Sequence, residues 1–471
     1  MKPRAMARLL TARSYLKPFH NLLSVFVLLL SLLAIVHLSS RHFLFQFAFY
    51  SSSTIPPSSP SPSPSPSPSH SLLLSQTPSP SSSPSPCPSP SSSSPPANSS
   101  PPSSAINATD TGAITYTAEK DCDIFRGEWV REDSAGDYYY TNASCGMIQE
   151  HQNCAKYGRP DAEFLRWRWR PDGCELPRFD PRWFLELVRG TAVAFVGDSL
   201  ARNQMQSLLC LLSTVAYPEE IASTGDRENR QLLYGDYNFT VAIFWTPFLV
   251  KGHADAGAGG GGYTNIFLDE VDAWAGPHLA AFDYLILSSG TWWTRPSVYF
   301  KNSKPFARCN YCWSPATASL PRLTLYEANR AAFRSALDSL RWYQGAVFLR
   351  TFSPSHFEGG PWNAGGHCVR SQPEARWRME RMELEMYRAQ VEEFWKAKRE
   401  KRKGRREMWV LDATRAMAMR PDGHPDVYGH RPEERVEMRH DCVHWCLPGP
   451  VDVWNELWLY MLTQRRMGKR G

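Results

Sequence analysis

Ser199 lies in the run Phe195-Val196-Gly197-Asp198-Ser199-Leu200, where an apolar stretch stops at a glycine and a helical pattern begins. A serine at the first position of a helix lies at its positive end, where amide N–H groups favour a developing negative charge. Acyl transfer through serine has that need, because its tetrahedral intermediate carries an oxyanion. The bland alternative is that Ser199 only caps the helix, a common job for serine. Serine is also a poor nucleophile without a base. A candidate stands near the other end of the chain, in Asp441-Cys442-Val443-His444-Trp445-Cys446. Asp441, three residues before His444, can fold back onto the imidazole and stabilise its charged form. Cys442 and Cys446 can pin the loop by disulfides. The pattern is short, and His356, His424 and His430 remain alternatives on spacing alone.

The elements that would position these residues read as an α/β fold. Apolar runs at 191–196, 240–245, 284–289, 346–351 and 408–413 predict buried strands, and helical patterns fall at 199–212, 324–341, 376–401 and 452–465. Strand–helix alternation predicts a mainly parallel sheet. Residues 120–180 differ: four cysteines, the run RWRWRP and weak periodicity predict a disulfide-stapled lobe beside that sheet. The glycine run AGAGGGG at 256–262 has no phosphate-loop pattern around it and reads as a surface insertion.

The N-terminal quarter cannot build a core. Residues 22–38 are apolar and follow Lys2, Arg4, Arg8, Arg13 and Lys17, which predicts a transmembrane signal anchor with residues 1–21 as a cytoplasmic tail. Residues 39–119 are dominated by Ser and Pro and predict a disordered stem. The remainder, 120–471, is then a lumenal catalytic domain. Net charge is +6, from 52 basic and 46 acidic residues spread along the chain, which gives no footprint for nucleic acid. Of 11 cysteines, ten follow residue 120, and no zinc-finger spacing occurs, so an oxidising compartment explains them better than a metal site. Sequons at Asn98, Asn107, Asn142 and Asn238 agree with that compartment. Seventeen tryptophans supply either core or faces on which sugar rings stack.

The pairing of Gly-Asp-Ser with DCVHWCLPGP resembles the plant trichome-birefringence-like family of polysaccharide O-acetyltransferases. CDIFRGEWV (122–130), the YYTNASC, QNCAKYGRPD and RWRWRP stretches, and DSLARNQ fit the same family. EHQNCAKYGRPD, SPSHFEGGPWN, MRPDGHP and DCVHWCLPGPVD are similar to its xyloglucan O-acetyltransferase branch. The resemblance implies an SGNH-hydrolase-like three-layer α/β/α fold with a disulfide-rich minor lobe, held in the Golgi membrane as a single-pass type II protein. It also implies a Ser199, His444, Asp441 triad that passes acetyl groups to galactosyl side chains of xyloglucan through an acetyl-serine. Disulfides Cys122–Cys174, Cys145–Cys210, Cys154–Cys446 and Cys368–Cys442 follow from it, leaving Cys309 and Cys312 for a local pair. No metal and no bound cofactor is expected. Acetyl-CoA or a derived lumenal donor would be a substrate, and a donor-supplying protein a candidate partner. A mannan or glucomannan acceptor, an esterase of the same fold and a non-catalytic glycan binder stay open. One departure is that no stretch announces the usual SGNH oxyanion asparagine. Gly290, in SSGTWW after a strand, is the candidate second oxyanion donor, and Asn203 or Arg202 the candidate support of the nucleophile turn.

Overall fold

The computed structural model describes residues 122–133, 138–224, 228–254, 262–309, 312, 317–400, 407–434 and 440–468. The tail 1–21, the span 22–38, the stem 39–119, Asn98, Asn107 and residues 256–261 of the glycine run lie outside them. The chain passes through strands β1 (Gly127–Arg131) and β2 (Trp167–Pro171), helix α1 (Pro181–Leu187), strand β3 (Ala192–Gly197) and helix α2 (Ser199–Leu212). Strands β4 (Glu219–Ser223), β5 (Arg230–Tyr234), β6 (Phe239–Trp245), β7 (Val250–Ala254), β8 (Thr264–Val271) and β9 (Tyr284–Ser288) follow. Next come β10 (Ser297–Lys301), β11 (Lys304–Cys309), β12 (Arg322–Leu323), α3 (Leu325–Ser339), β13 (Ala346–Arg350) and α4 (Arg381–Arg399). Strand β14 (Met408–Leu411), α5 (Thr414–Met417) and α6 (Asp452–Gly468) complete the order.

Seven strands form the central sheet in the order β14-β13-β9-β3-β6-β5-β4. The five from β14 to β6 run parallel, and β5 and β4 add an antiparallel edge. Side chains alternate across a strand, so an apolar run feeds two cores at once. Val193 and Phe195 pack with Leu208 of α2 and Trp458 of α6, whereas Ala194 and Val196 belong to the core that holds Phe333 of α3 and Phe394 of α4. The result is three layers, α/β/α. From β3 the chain steps to one side for β6 and to the other for β9, which makes the carboxyl end of β3 the topological switch point where such sheets open a crevice.

A second sheet, ordered β12-β11-β10-β8-β7, was not legible as strands in the sequence. Its pairings mix parallel and antiparallel, and strands such as Thr264–Val271 interleave Asn, Asp and Glu with their apolar residues. The N-terminal lobe is the β1–β2 hairpin and the loops between its strands. Cys122–Cys174 closes it, Cys145–Cys210 ties it to α2, and Cys154–Cys446 ties it to the loop bearing His444. Trp129 Nε1 donates to Ala416 O of α5 at 2.8 Å. Cys368–Cys442 and Cys309–Cys312 are also bonded.

One expectation is corrected. No helix among the described residues is long and apolar enough to cross a membrane, which overturns the reading of a Golgi membrane protein as far as the structure describes the chain.

Candidate active site

Gly197 ends β3 with φ +156, and a Cβ there would lie 1.8 Å from Ser288 O. Only glycine lets β3 turn this close to β9. Asp198 then caps α2: its Oδ1 accepts from Leu200 N at 3.0 Å. Its Oδ2 accepts from Gly290 N at 2.9 Å, which fastens the turn to the segment after β9. Burial raises the Asp198 carboxyl above its ordinary range, against the opposing pull of Arg350 and of these two amides. Ser199, half-buried, is the first residue of α2. Its N–H belongs to the set that a helix start leaves without intrahelical acceptors, so it is available to an oxyanion.

The opposing loop is held by the two disulfides at Cys442 and Cys446. Asp441 Oδ1 accepts from His444 N at 2.9 Å and from Val443 N at 3.1 Å, which folds the carboxylate back over the turn. Asp441 Oδ2 lies 2.8 Å from His444 Nδ1, and His444 Nε2 lies 2.6 Å from Ser199 Oγ. The His444 side chain keeps 21% exposure, enough for a substrate to reach it. Burial pulls the His444 pKa down, but the charge and hydrogen bond of Asp441 outweigh it, and the imidazole sits above its ordinary value. Burial alone would raise Asp441. The neighbouring His444 instead holds it well below the usual carboxylate range. An Asp–His–Ser chain of this geometry can hold one imidazole tautomer, take the serine proton and hand it on.

The other sequence candidates separate. Asn203 lies buried inside α2 and binds Trp445, the neighbour of His444, through both amide atoms. Arg202 stacks over Trp245 at the end of β6, with its guanidinium 4.6 Å from the ring centroid. Its positive charge opposes protonation of His444. Gly290 needs correction as an oxyanion donor, because its N–H is engaged by Asp198. Asn142 and Asn238 are exposed. Cys368, Asp426 and Cys442 lie close enough to suggest a metal site, but the two cysteines are bonded to each other and Asp426 Oδ1 accepts from Cys368 N.

Histidines weighed only as rivals for the base have a supporting position. His424 Nδ1 lies 2.7 Å from His444 O, its ring stacks on Trp445, and its Nε2 lies 2.7 Å from His356 Nδ1. His151 joins the site from the N-terminal lobe. Its ring meets that of His444 edge-on, with centroids 5.1 Å apart. It sits 293 residues upstream, and nothing in local spacing links the two.

A serine at the switch point of a three-layer α/β/α sheet, with a histidine and an aspartate on a C-terminal loop, defines the class of SGNH-like acyl-transfer folds. Comparison with known proteins agrees. Residues 176–461 match the GDSL/SGNH-like acyl-esterase family found in Pmr5 and Cas1p, and residues 120–175 match the PMR5 N-terminal domain. The chain belongs to this acyl-esterase family. It is 46% identical over 378 residues to trichome birefringence-like protein 19 of Arabidopsis thaliana, covering 77% of this chain and 86% of that one. Xyloglucan O-acetyltransferase 4 of Populus trichocarpa is 42% identical over 356 residues, covering 74% and 83%. Xyloglucan O-acetyltransferase 1 of Arabidopsis thaliana is 39% identical over 350 residues, covering 73% and 80%.

Proposed function

We propose that this chain transfers acetyl groups to hydroxyls of a cell-wall polysaccharide, with galactosyl side chains of xyloglucan as the first acceptor to test. Relatives named xyloglucan O-acetyltransferases support the reaction and the acceptor class. The observation that carries the reading is the 2.6 Å contact of His444 Nε2 with Ser199 Oγ, backed by Asp441. Ser199 Oγ attacks the carbonyl carbon of the acetyl donor while His444 Nε2 takes the serine proton. The tetrahedral intermediate collapses, the donor's leaving group departs with that proton, and Ser199 holds an acetyl ester. A sugar hydroxyl then attacks the ester carbonyl, His444 takes its proton, and that proton returns to Ser199 Oγ as the acetylated sugar leaves. Asp441 keeps the imidazole oriented and stabilises its cationic form. The Ser199 amide receives the oxyanion. The donor is an activated acetyl compound, acetyl-CoA or one derived from it, and it acts as a substrate rather than a resident cofactor.

The test is transfer by the full chain from an activated acetyl ester to de-acetylated xyloglucan and glucomannan oligosaccharides, with mass spectrometry counting acetyl groups. Acetyl on xyloglucan that disappears with Ser199→Ala supports the proposal in full. Acetyl on glucomannan alone reassigns the acceptor. Transfer that survives Ser199→Ala would overturn the nucleophile.

A further inference from the structure

We infer that His151 binds the acceptor sugar beside His444 and so favours a carbohydrate hydroxyl over water as the group that removes acetyl from Ser199. This rests on the acetyl-transfer reading above.

His151 lies on the short turn Glu150–Gln152 of the N-terminal lobe, and several contacts hold that turn against the base loop. Cys154 is bonded to Cys446. Gln152 O accepts from Leu447 N at 2.8 Å. Arg159 donates to the backbone carbonyls of His424 and Asp422 at 2.8 and 2.5 Å. At Gly429 a Cβ would lie 2.7 Å from His151 O, so the chain passes as close as glycine permits. These contacts bring the His151 ring edge-on to His444 at an interplanar angle of 75°.

His151 is half-buried rather than sealed in the core. His151 Nε2 lies 3.3 Å from the amide nitrogen of the fully buried Gln152, which is a donor. That contact occupies Nε2 and leaves Nδ1 as the ring nitrogen for a ligand, donating or accepting according to the tautomer. Burial, then the neighbouring His444, depresses His151 to about 4, so the ring stays neutral at physiological pH. Beside the general base there is thus an uncharged imidazole whose second ring nitrogen can hydrogen-bond a hydroxyl.

Geometry selects its ligand. The group that deacylates Ser199 must bring its hydroxyl to His444 Nε2, because that nitrogen takes its proton. An imidazole packed against the His444 ring lies within hydrogen-bonding reach of the next hydroxyl on a sugar whose neighbour is being acetylated. Water has no second hydroxyl to offer. A site built to bind such a group discriminates against a ligand that lacks it.

The experiment measures how acetyl-Ser199 divides between oligosaccharide and water in the full chain, charged with p-nitrophenyl acetate in the presence of de-acetylated xyloglucan oligosaccharide. His151→Ala should raise the ratio of free acetate to transferred acetyl about tenfold. The nitrophenolate burst, which reports acylation, should stay within about twofold of the parent. His151→Asn, whose amide can restore an N–H donor, should recover much of the transfer. Thermal melts of both variants verify folding. An unchanged ratio in His151→Ala would overturn the inference, and so would a burst lost in step with transfer in a folded variant. A parent chain that forms acetyl-Ser199 but releases it only to water sinks the transferase reading instead, and the inference with it.

Discussion

Asn203 and Trp445 are joined by two hydrogen bonds across 242 residues of chain: Asn203 Oδ1 accepts from Trp445 N at 2.8 Å, and Asn203 Nδ2 donates to Trp445 O at 3.3 Å. Ser199 opens the helix that carries Asn203, and His444 directly precedes Trp445. The pair therefore sets the spacing between nucleophile and base through two short rigid connections. No sequence motif advertises this bridge, since an asparagine inside a helix usually reads as a mild helix weakener.

Asn203→Ala should leave the Trp445 amide groups buried without partners. A stability loss of about 2–3 kcal/mol is expected from two buried hydrogen bonds. The activity signature is a fall in kcat well beyond tenfold with KM little changed, because the defect lies in His444 placement rather than sugar binding. Steady-state kinetics at a temperature where the variant is folded would check it. A KM effect alone would assign Asn203 to the acceptor site.

The pH profile should report His444. Catalysis needs the neutral imidazole, and the folded pKa lies above the ordinary 6.5, so kcat/KM should rise with pH through a midpoint above 6.5. Asp441→Asn removes the charge that holds that pKa up, leaving burial to dominate. Its acid limb should shift to lower pH, with kcat reduced on the order of 10⁴-fold as for triads of this kind. Arg202→Gln removes an opposing positive charge and should move the limb upward. Equal midpoints in all three proteins would mean that another group limits the rate.

Much of this site was legible because its chemistry sits in short contiguous runs. Gly197-Asp198-Ser199 follows an apolar strand and opens a helix, and Asp441 to His444 fits within one turn. The five parallel strands were legible for a related reason, since strands buried on both faces read as unbroken apolar runs. What escaped depends on partners distant in sequence. Gly290 has the right position after β9, but the Asp198 carboxylate claims its N–H from 92 residues away. His151 meets His444 because the Cys154–Cys446 disulfide and hydrogen bonds such as Leu447 N to Gln152 O bring distant parts of the chain together. The second sheet escaped because charged and polar residues cut its strands into short apolar runs such as Ile266-Phe267-Leu268.

Two glycines offer a matched test of the nucleophile turn. Gly197→Ala would put a Cβ 1.8 Å from Ser288 O, and β9 would have to move. A loss above about 3 kcal/mol is expected, enough to compromise folding. Gly190 has φ +73 and nothing within 4 Å of an added Cβ, so Gly190→Ala should cost only about 1 kcal/mol of backbone strain. Chemical denaturation of the two variants side by side separates close approach from backbone freedom. Similar losses would show that crowding at Ser288 relaxes cheaply.

The histidine pair His356 and His424, half-buried and buried, predicts how stability responds to acid. Burial depresses His356 to about 4, and its Nδ1 lies 2.7 Å from His424 Nε2. His424 is also lowered, by burial and then by its neighbour His356. An unfolded histidine takes up a proton near 6.5, so between about 6.5 and 4 the unfolded chain binds more protons than the folded one. Stability must therefore fall as pH drops through that window, with His356 contributing up to about 3 kcal/mol. Asp452 and Glu383, both raised to about 7 by burial, act in the opposite sense, since they favour the folded state where they remain protonated. Net stability is consequently a poor reporter, and the difference between proteins is the better one. His356→Gln keeps an amide donor for His424 but does not titrate. Its stability relative to the parent should rise between pH 7.5 and pH 4.5, measured by denaturant unfolding at both. A relative stability that does not change with pH would show that His356 is protonated in the folded chain and that the pair shares a positive charge.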